Sequence, residues 1–429
     1  MAKIDPNPAD LEPVAGNGLL HRRAFLGGGA ALIGAGGLGL MTARPASAAP
    51  PELAGWMRAP GAPLSGYGHR SRYEDDVQRF VGPPAAGTTG AGSSRTPLER
   101  LTGMITPSAL HFERHHSGIP DIDPAEHRLM IHGLVERPLI FSMDALHRYP
   151  MTSCIQFLEC SGNSRPNLSA TAPAVSCGEI HGMVSCSEWT GIPLGVLLEE
   201  AGIDPQAHWL LAEGSDAASL TRSVPLEKAL DDALIALYQN GEALRPEQGY
   251  PLRLFLPGWE GNISVKWLRR LKLTREPTMT RDETSKYTDL LPSGEALMFT
   301  FPMGVKSVIT SPSGGLAMQG PGLYEISGIA WSGAGRIRRV EVSADGGRSW
   351  AEAALTDPVL SKALTRFRMA WRWNGGPAVL MSRAVDETGA VQPTRSALIA
   401  EKGAQVSYHN HAIQSWQIAP SNEVTNVYA

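Results

Sequence analysis

From Lys306 to Asp386 the chain is cut into short runs of strand-forming residues, and no other feature narrows its fold as much. Lys306–Thr310, Gly322–Trp331, Ile337–Ser343, Trp350–Leu355 and Arg366–Trp373 are rich in β-branched and aromatic residues. Asp345-Gly346-Gly347 supplies a turn among them, and Ala378–Asp386 continues the series. Roughly seven short strands in about 120 residues describe two packed sheets, an immunoglobulin-like sandwich over residues 304–429.

Upstream, short strands mix with short helices, and the expected class is α+β. Arg128–Val135, Ser153–Leu158, His208–Ala212, Ala233–Tyr238 and Arg253–Leu256 read as strands. Ser142 is placed to cap a short helix, Ile192–Ala201 reads as a helix closed by Gly202, and Pro225–Leu230 as another. Gln239-Asn240-Gly241-Glu242 is a hairpin turn. These elements span an expected domain of residues 98–275, followed by a connector without clear periodicity over 276–303. The 46 glycines and 33 prolines agree with strands and loops rather than a helical bundle.

Two N-terminal stretches stand apart. Residues 49–97 are rich in Pro, Gly, Ala and Ser and read as an extended arm. Residues 1–48 read as a leader, in which Arg22-Arg23 precedes a glycine-rich apolar run and Ala46-Ser47-Ala48 offers a cleavage site. Twin arginines ahead of a weakly hydrophobic run indicate export in the folded state by the Tat route, to the periplasm. The run, of about 15 residues, is shorter than the ~20 that a membrane span needs, so no anchor is expected. The formal net charge of -4 argues against a nucleic-acid partner.

The chemistry concentrates at Phe157-Leu158-Glu159-Cys160-Ser161-Gly162-Asn163-Ser164-Arg165-Pro166. A soft sulfur sits on a glycine-containing loop with a guanidinium five residues on. That pattern suits a ligand for a soft metal, an activated thiolate, or half of a disulfide with Cys154, Cys177 or Cys186.

Cys160-Ser-Gly-Asn-Ser-Arg165 resembles the Cys-(Ala/Ser)-Gly-Asn-x-Arg signature of the sulfite oxidase family. Other segments are similar in order and spacing: Phe112-Glu113-Arg114-His115-His116, Gly249-Tyr250-Pro251-Leu252-Arg253, Pro257-Gly258-Trp259-Glu260-Gly261 and Ser264-Val265-Lys266-Trp267-Leu268. The likeness covers roughly residues 100–425, and is nearest to the molybdenum subunits of sulfur-oxidising systems. It implies a molybdopterin domain followed by a dimerisation sandwich, and hence a homodimeric core. It also implies a molybdenum-molybdopterin cofactor with Cys160 as the metal ligand. By the same likeness Arg165, Arg114 and Tyr287 belong to the substrate pocket, and His116, Asp216, Gln248, Arg253, Ser264, Val265 and Lys266 to the cofactor.

Two departures bear on the substrate. Gln248 stands where many relatives have histidine. Tyr408-His409-Asn410-His411 stands where the family usually offers a further arginine, so His409 is the expected pocket residue. A neutral imidazole in place of a fixed cation predicts a less cationic pocket. The expected substrate is then sulfane sulfur on a sulfur-carrier protein's cysteine, within thiosulfate oxidation; the alternative is a dehydrogenase of free sulfite. No Cys-x-x-Cys-His occurs, so no haem is expected on this chain and a c-type cytochrome subunit is the expected electron acceptor.

Overall fold

The computed structural model describes residues 12–21, 53–84, 87–404 and 407–429. Arg22-Arg23, the apolar run and the small residues read as a cleavage site lie outside the described residues.

The first domain is built on two five-stranded sheets. One has the order Thr221–Pro225, Trp209–Gly214, Leu268–Thr274, Arg128–Gly133, Leu139–Ser142, with Leu268–Thr274 parallel to Arg128–Gly133 and the other pairs antiparallel. Along Arg128–Gly133 the side chains of Leu129 and Ile131 turn inward and their neighbours outward, the alternation of a half-buried strand. The other sheet is antiparallel and runs Glu242–Ala243, Leu234–Gln239, Val184–Pro193, Thr152–Glu159, with Arg253–Phe255 also on Leu234–Gln239.

Local signals act where the sequence places them. Ser142 Oγ accepts the Ala145 N–H at 3.2 Å and caps Met143–Leu146. The expected helix from Ile192 begins later: Ile192 and Pro193 finish a strand, and Leu194–Ala201 is the helix. Leu194, Leu197, Leu198 and Ala201 form its buried stripe, and Gly202 at φ 71 ends it. Asn240 and Gly241, at φ 51 and 81, form the expected hairpin turn between Gln239 and Glu242.

The second domain is the expected sandwich. Thr365–Trp373 and Gly322–Trp331 lie side by side in one sheet, flanked by Lys306–Ser311. The opposing sheet runs Ala351–Glu352, Ile337–Ser343, Ala378–Asp386, Ser415–Ile418, Val424–Val427. Trp331, Trp371, Trp373 and Trp416 fill the space between them, at most 1% exposed. This core does not stop at the domain boundary, because Phe157, Cys177, Ile180, Val184 and Cys186 of the first domain belong to it.

Three features were not anticipated. The helix Arg395–Lys402 and the strands Ser415–Ile418 and Val424–Val427 complete the C-terminal part. Gly92–Arg95 is a strand paired with Arg114–His115, so the stretch read as an arm enters the body before residue 98. Within the stretch read as leader, Pro13–Ala15 and Leu19–Leu20 form a hairpin on the sandwich. All four cysteines are free.

Candidate active site

Thr152–Glu159 delivers the chain to Cys160, and a tight set of bonds shapes the loop that follows. Asn163 is its staple: its Nδ2 donates to Glu159 Oε1 and to the His181 carbonyl, each at 2.9 Å, and its Oδ1 accepts the N–H groups of Ser164 and Met183. Ser164 takes φ 66, and its Oγ lies 2.7 Å from His181 Nδ1. A Cβ at Gly162 would lie in ordinary contact with Cys160 Sγ, at 3.9 Å. Burial pushes the Cys160 thiol up, against the Gly162 N–H and Arg114, which pull it down.

The sulfur faces a cavity of ≈ 430 Å³ at the meeting of the two sheets. Of the residues picked out in the sequence, Arg114, His116, Cys160, Arg165, Asp216, Gln248, Arg253, Ser264, Lys266 and Tyr287 all line it. Two do not. The Val265 side chain is buried in the core of the first domain. His409 turns away from the cavity: its Nε2 lies 3.3 Å from Glu260 Oε2 and 3.0 Å from Thr300 Oγ1, and its N–H donates to the Ser161 carbonyl. Its neighbour Tyr408 lines the cavity instead.

Among the lining residues that the sequence did not assign to the site, three polar ones stand out. Ser93 and Arg95 arrive on the strand Gly92–Arg95, hidden by the low-complexity composition around it. His115 lies 2.8 Å from both Glu113 Oε2 and Lys266 Nζ, and its place beside Arg114 was the available signal. Arg95 corrects the expectation of a less cationic pocket, because a guanidinium from the N-terminal side joins Arg114 and Arg165 there.

Two further lining cations, Arg253 and Lys266, are buried; Lys266 Nζ donates to the carbonyls of Arg114 (3.2 Å) and Glu247 (3.0 Å) and lies 2.8 Å from His115 Nδ1. Arg253, 2% exposed, donates to the carbonyls of Gln248 (3.1 Å) and Ser264 (2.7 Å), while its Nε has no partner. Burial pulls its pKa down to about 9. Burial and the nearby Arg253 push Lys266 well below its usual value. Among the described residues neither cation forms a salt bridge, and such buried cations suit a bound anion such as a phosphate. Among the described residues, no three His, Cys, Asp or Glu side chains gather to hold a metal ion. A metal here would therefore have the one protein sulfur and draw its remaining ligands from an organic cofactor, and the donor set fits a phosphate-bearing dithiolene pterin.

Tyr287 and His116 both line the cavity, with the phenol 3.1 Å from His116 Nε2. Burial raises the phenol's pKa, and burial with Arg114 brings His116 down to about 3. The phenol therefore keeps its proton and the imidazole stays neutral at physiological pH. Beneath Tyr287, 4.8 Å from its ring, the fully buried Arg222 bonds Glu260 and Glu283, each at 3.0 Å.

Comparison with known proteins agrees with this arrangement. Residues 116–281 match the family model of the oxidoreductase molybdopterin binding domain, and residues 298–415 that of the Mo-co oxidoreductase dimerisation domain. The chain is 32% identical over 336 residues to mitochondrial sulfite oxidase of Mus musculus, covering 72% of this chain and 61% of that protein. It is 32% identical over 335 residues to sulfite oxidase of Gallus gallus, covering 72% of each. Its structure resembles a chain in the crystal structure of the sulfane dehydrogenase SoxCD from Paracoccus pantotrophus. That match has 46% identity and a TM-score of 0.86, over 88% of this chain and 98% of that one.

Proposed function

The chain belongs to the sulfite oxidase family of molybdopterin oxidoreductases, and from this premise we propose that it oxidises sulfane sulfur held on a carrier protein's cysteine. The electrons pass to a c-type cytochrome subunit, and the enzyme works in the periplasm as a homodimeric core, exported folded by the Tat route. The observation that carries this reading is the likeness to a sulfane dehydrogenase over nearly the whole of that chain.

Each side chain then has a task. Cys160 would hold the metal, and Arg253, Lys266, Gln248, Ser264, Asp216 and His116 would hold the pterin and its phosphate. The cofactor supplies two-electron oxidation of sulfur with oxygen drawn from water. Arg114, Arg165 and Arg95 orient the anionic end of the substrate, since guanidinium forks match oxyanions. Tyr287, whose phenol keeps its proton, would donate a hydrogen bond to an oxygen of the bound substrate or cofactor, and neutral His116, 3.1 Å from that phenol, would orient it. His409 acts from behind, through Glu260.

The second reading, oxidation of free sulfite, is favoured by the guanidinium groups of Arg95, Arg114 and Arg165, which line one cavity. Cytochrome c reduction by the purified enzyme separates the two. Rapid reduction with carrier-bound sulfane sulfur and slow reduction with sulfite is the expected result, and efficient sulfite turnover would transfer the assignment to the second reading. Cys160→Ser should lose both activities.

A further inference from the structure

Residues 13–20 stand just ahead of Arg22-Arg23, inside the stretch read as a removable leader, yet they are built into the folded body. Leu19 pairs with Trp371 on Thr365–Trp373, and neither Leu19 nor Leu20 has exposed surface. Leu19 belongs to the same core as Trp371 and Trp373.

The turn between the two short strands is keyed to its seat. Gly16 N–H donates to Ser349 Oγ at 2.7 Å, and Asn17 Nδ2 donates to the Ala344 carbonyl at 2.8 Å. The Trp371 indole N–H donates to the Asn17 carbonyl at 2.6 Å. A Cβ on Gly16 would lie 2.1 Å from Asp345 Oδ2, and one on Gly18 2.1 Å from the Arg372 carbonyl. Asn17 and Gly18 take φ 62 and 87, a conformation open to few other residues. A leader requires charge, apolarity and a cleavage site. It does not require a left-handed asparagine followed by a glycine whose Cβ would strike the Arg372 backbone.

We infer that residues 13–20 are a docking element by which the folded sandwich binds its own leader, through strand addition at the Trp371 edge and a pocket for Gly16-Asn17-Gly18. The seat is assembled from Ala344, Ser349 and Trp371, more than 320 residues along the chain from the element that fills it. It therefore exists only once the C-terminal domain has closed, and docking couples the leader to that folding event. Removal of the leader vacates the seat. The inference uses the export reading only for that removal; the docking stands apart from it.

Hydrogen–deuterium exchange on the full-length holoprotein tests this. Amides of residues 16–20 should exchange at least about tenfold more slowly than in an unstructured peptide. Gly18→Val should abolish that protection and leave Gly322–Trp331 and Ala378–Asp386 protected. Trp371→Phe, which keeps the core filled but removes the indole donor, should weaken it. Unstructured exchange rates at residues 16–20 in the wild type, or full protection in Gly18→Val, would overturn the proposal. Replacing Arg22 and Arg23 by lysine should block export and leave the protection unchanged; export that survives that change refutes the leader reading alone.

Discussion

Lys306 of the sandwich and Glu159 of the first domain meet at 3.3 Å, both side chains no more than 2% exposed. Lys306 Nζ also donates to Ser164 Oγ at 2.7 Å and to the Asn410 carbonyl at 2.8 Å, and the Trp331 indole N–H donates to Glu159 Oε2 at 2.6 Å. Glu159 precedes Cys160 and Ser164 follows it by four residues, so one sandwich lysine grips both ends of the loop that presents the sulfur. The second domain thus helps to position the site as well as offering a dimerisation surface.

Removing one member of this buried pair strands the other charge. Lys306→Met should cost about 3–5 kcal/mol in urea unfolding, and Glu159→Gln in the same background should return part of it. Molybdenum retained per chain should fall in the single variant, since the loop loses its clamp.

Arg253 separates cofactor binding from stability. It is a buried cation without a carboxylate partner, so Arg253→Met should leave the cofactor-free protein as stable or more so. Cofactor affinity should fall by about tenfold or more, because a charge-assisted contact to the phosphate is lost. Molybdenum content and the urea midpoint, measured side by side, check both.

Arg95 should act on substrate alone. Arg95→Ala is expected to raise KM for the sulfur substrate by about tenfold, with molybdenum content unchanged. Steady-state kinetics and metal analysis on one preparation decide it.

His111 and His181 set an acid limit. Burial holds both imidazoles down to about 3, whereas the ordinary value is 6.5. Between those values the unfolded chain binds protons that the folded chain refuses. Stability is therefore complete above pH 6.5 and falls as pH drops below it. From pH 7 to pH 5 the two should together remove about 4 kcal/mol. His181→Gln can keep contacts with Ser164 and Gln414 and should recover about half of that loss. Urea titrations at the two pH values measure it.

The cysteine loop was legible from its residue types, a soft sulfur with a glycine and a guanidinium beside it, whereas Arg114, His116, Asp216, Gln248, Arg253, Ser264, Lys266 and Tyr287 were reached only through the resemblance to the sulfite oxidase family. Arg95 was not legible, because a pocket cation on a short strand looks like any charge in a glycine-rich stretch until the partner strand Arg114–His115 is known. His409 was misplaced for the converse reason. The resemblance put it at the position of a pocket arginine, but its side chain is held by the Glu260 carboxylate and Thr300.

By itself the sequence determined the α+β class, the sandwich and the cysteine loop, since strand alternation, caps and turns act over a few residues. Tertiary structure alone decided which cations face the sulfur, that Lys306 reaches across to Glu159, and that residues 13–20 settle on Trp371. Those relations join segments from about 20 to more than 350 residues apart. Their energies come from burial and from matched donors and acceptors, quantities that no local pattern encodes.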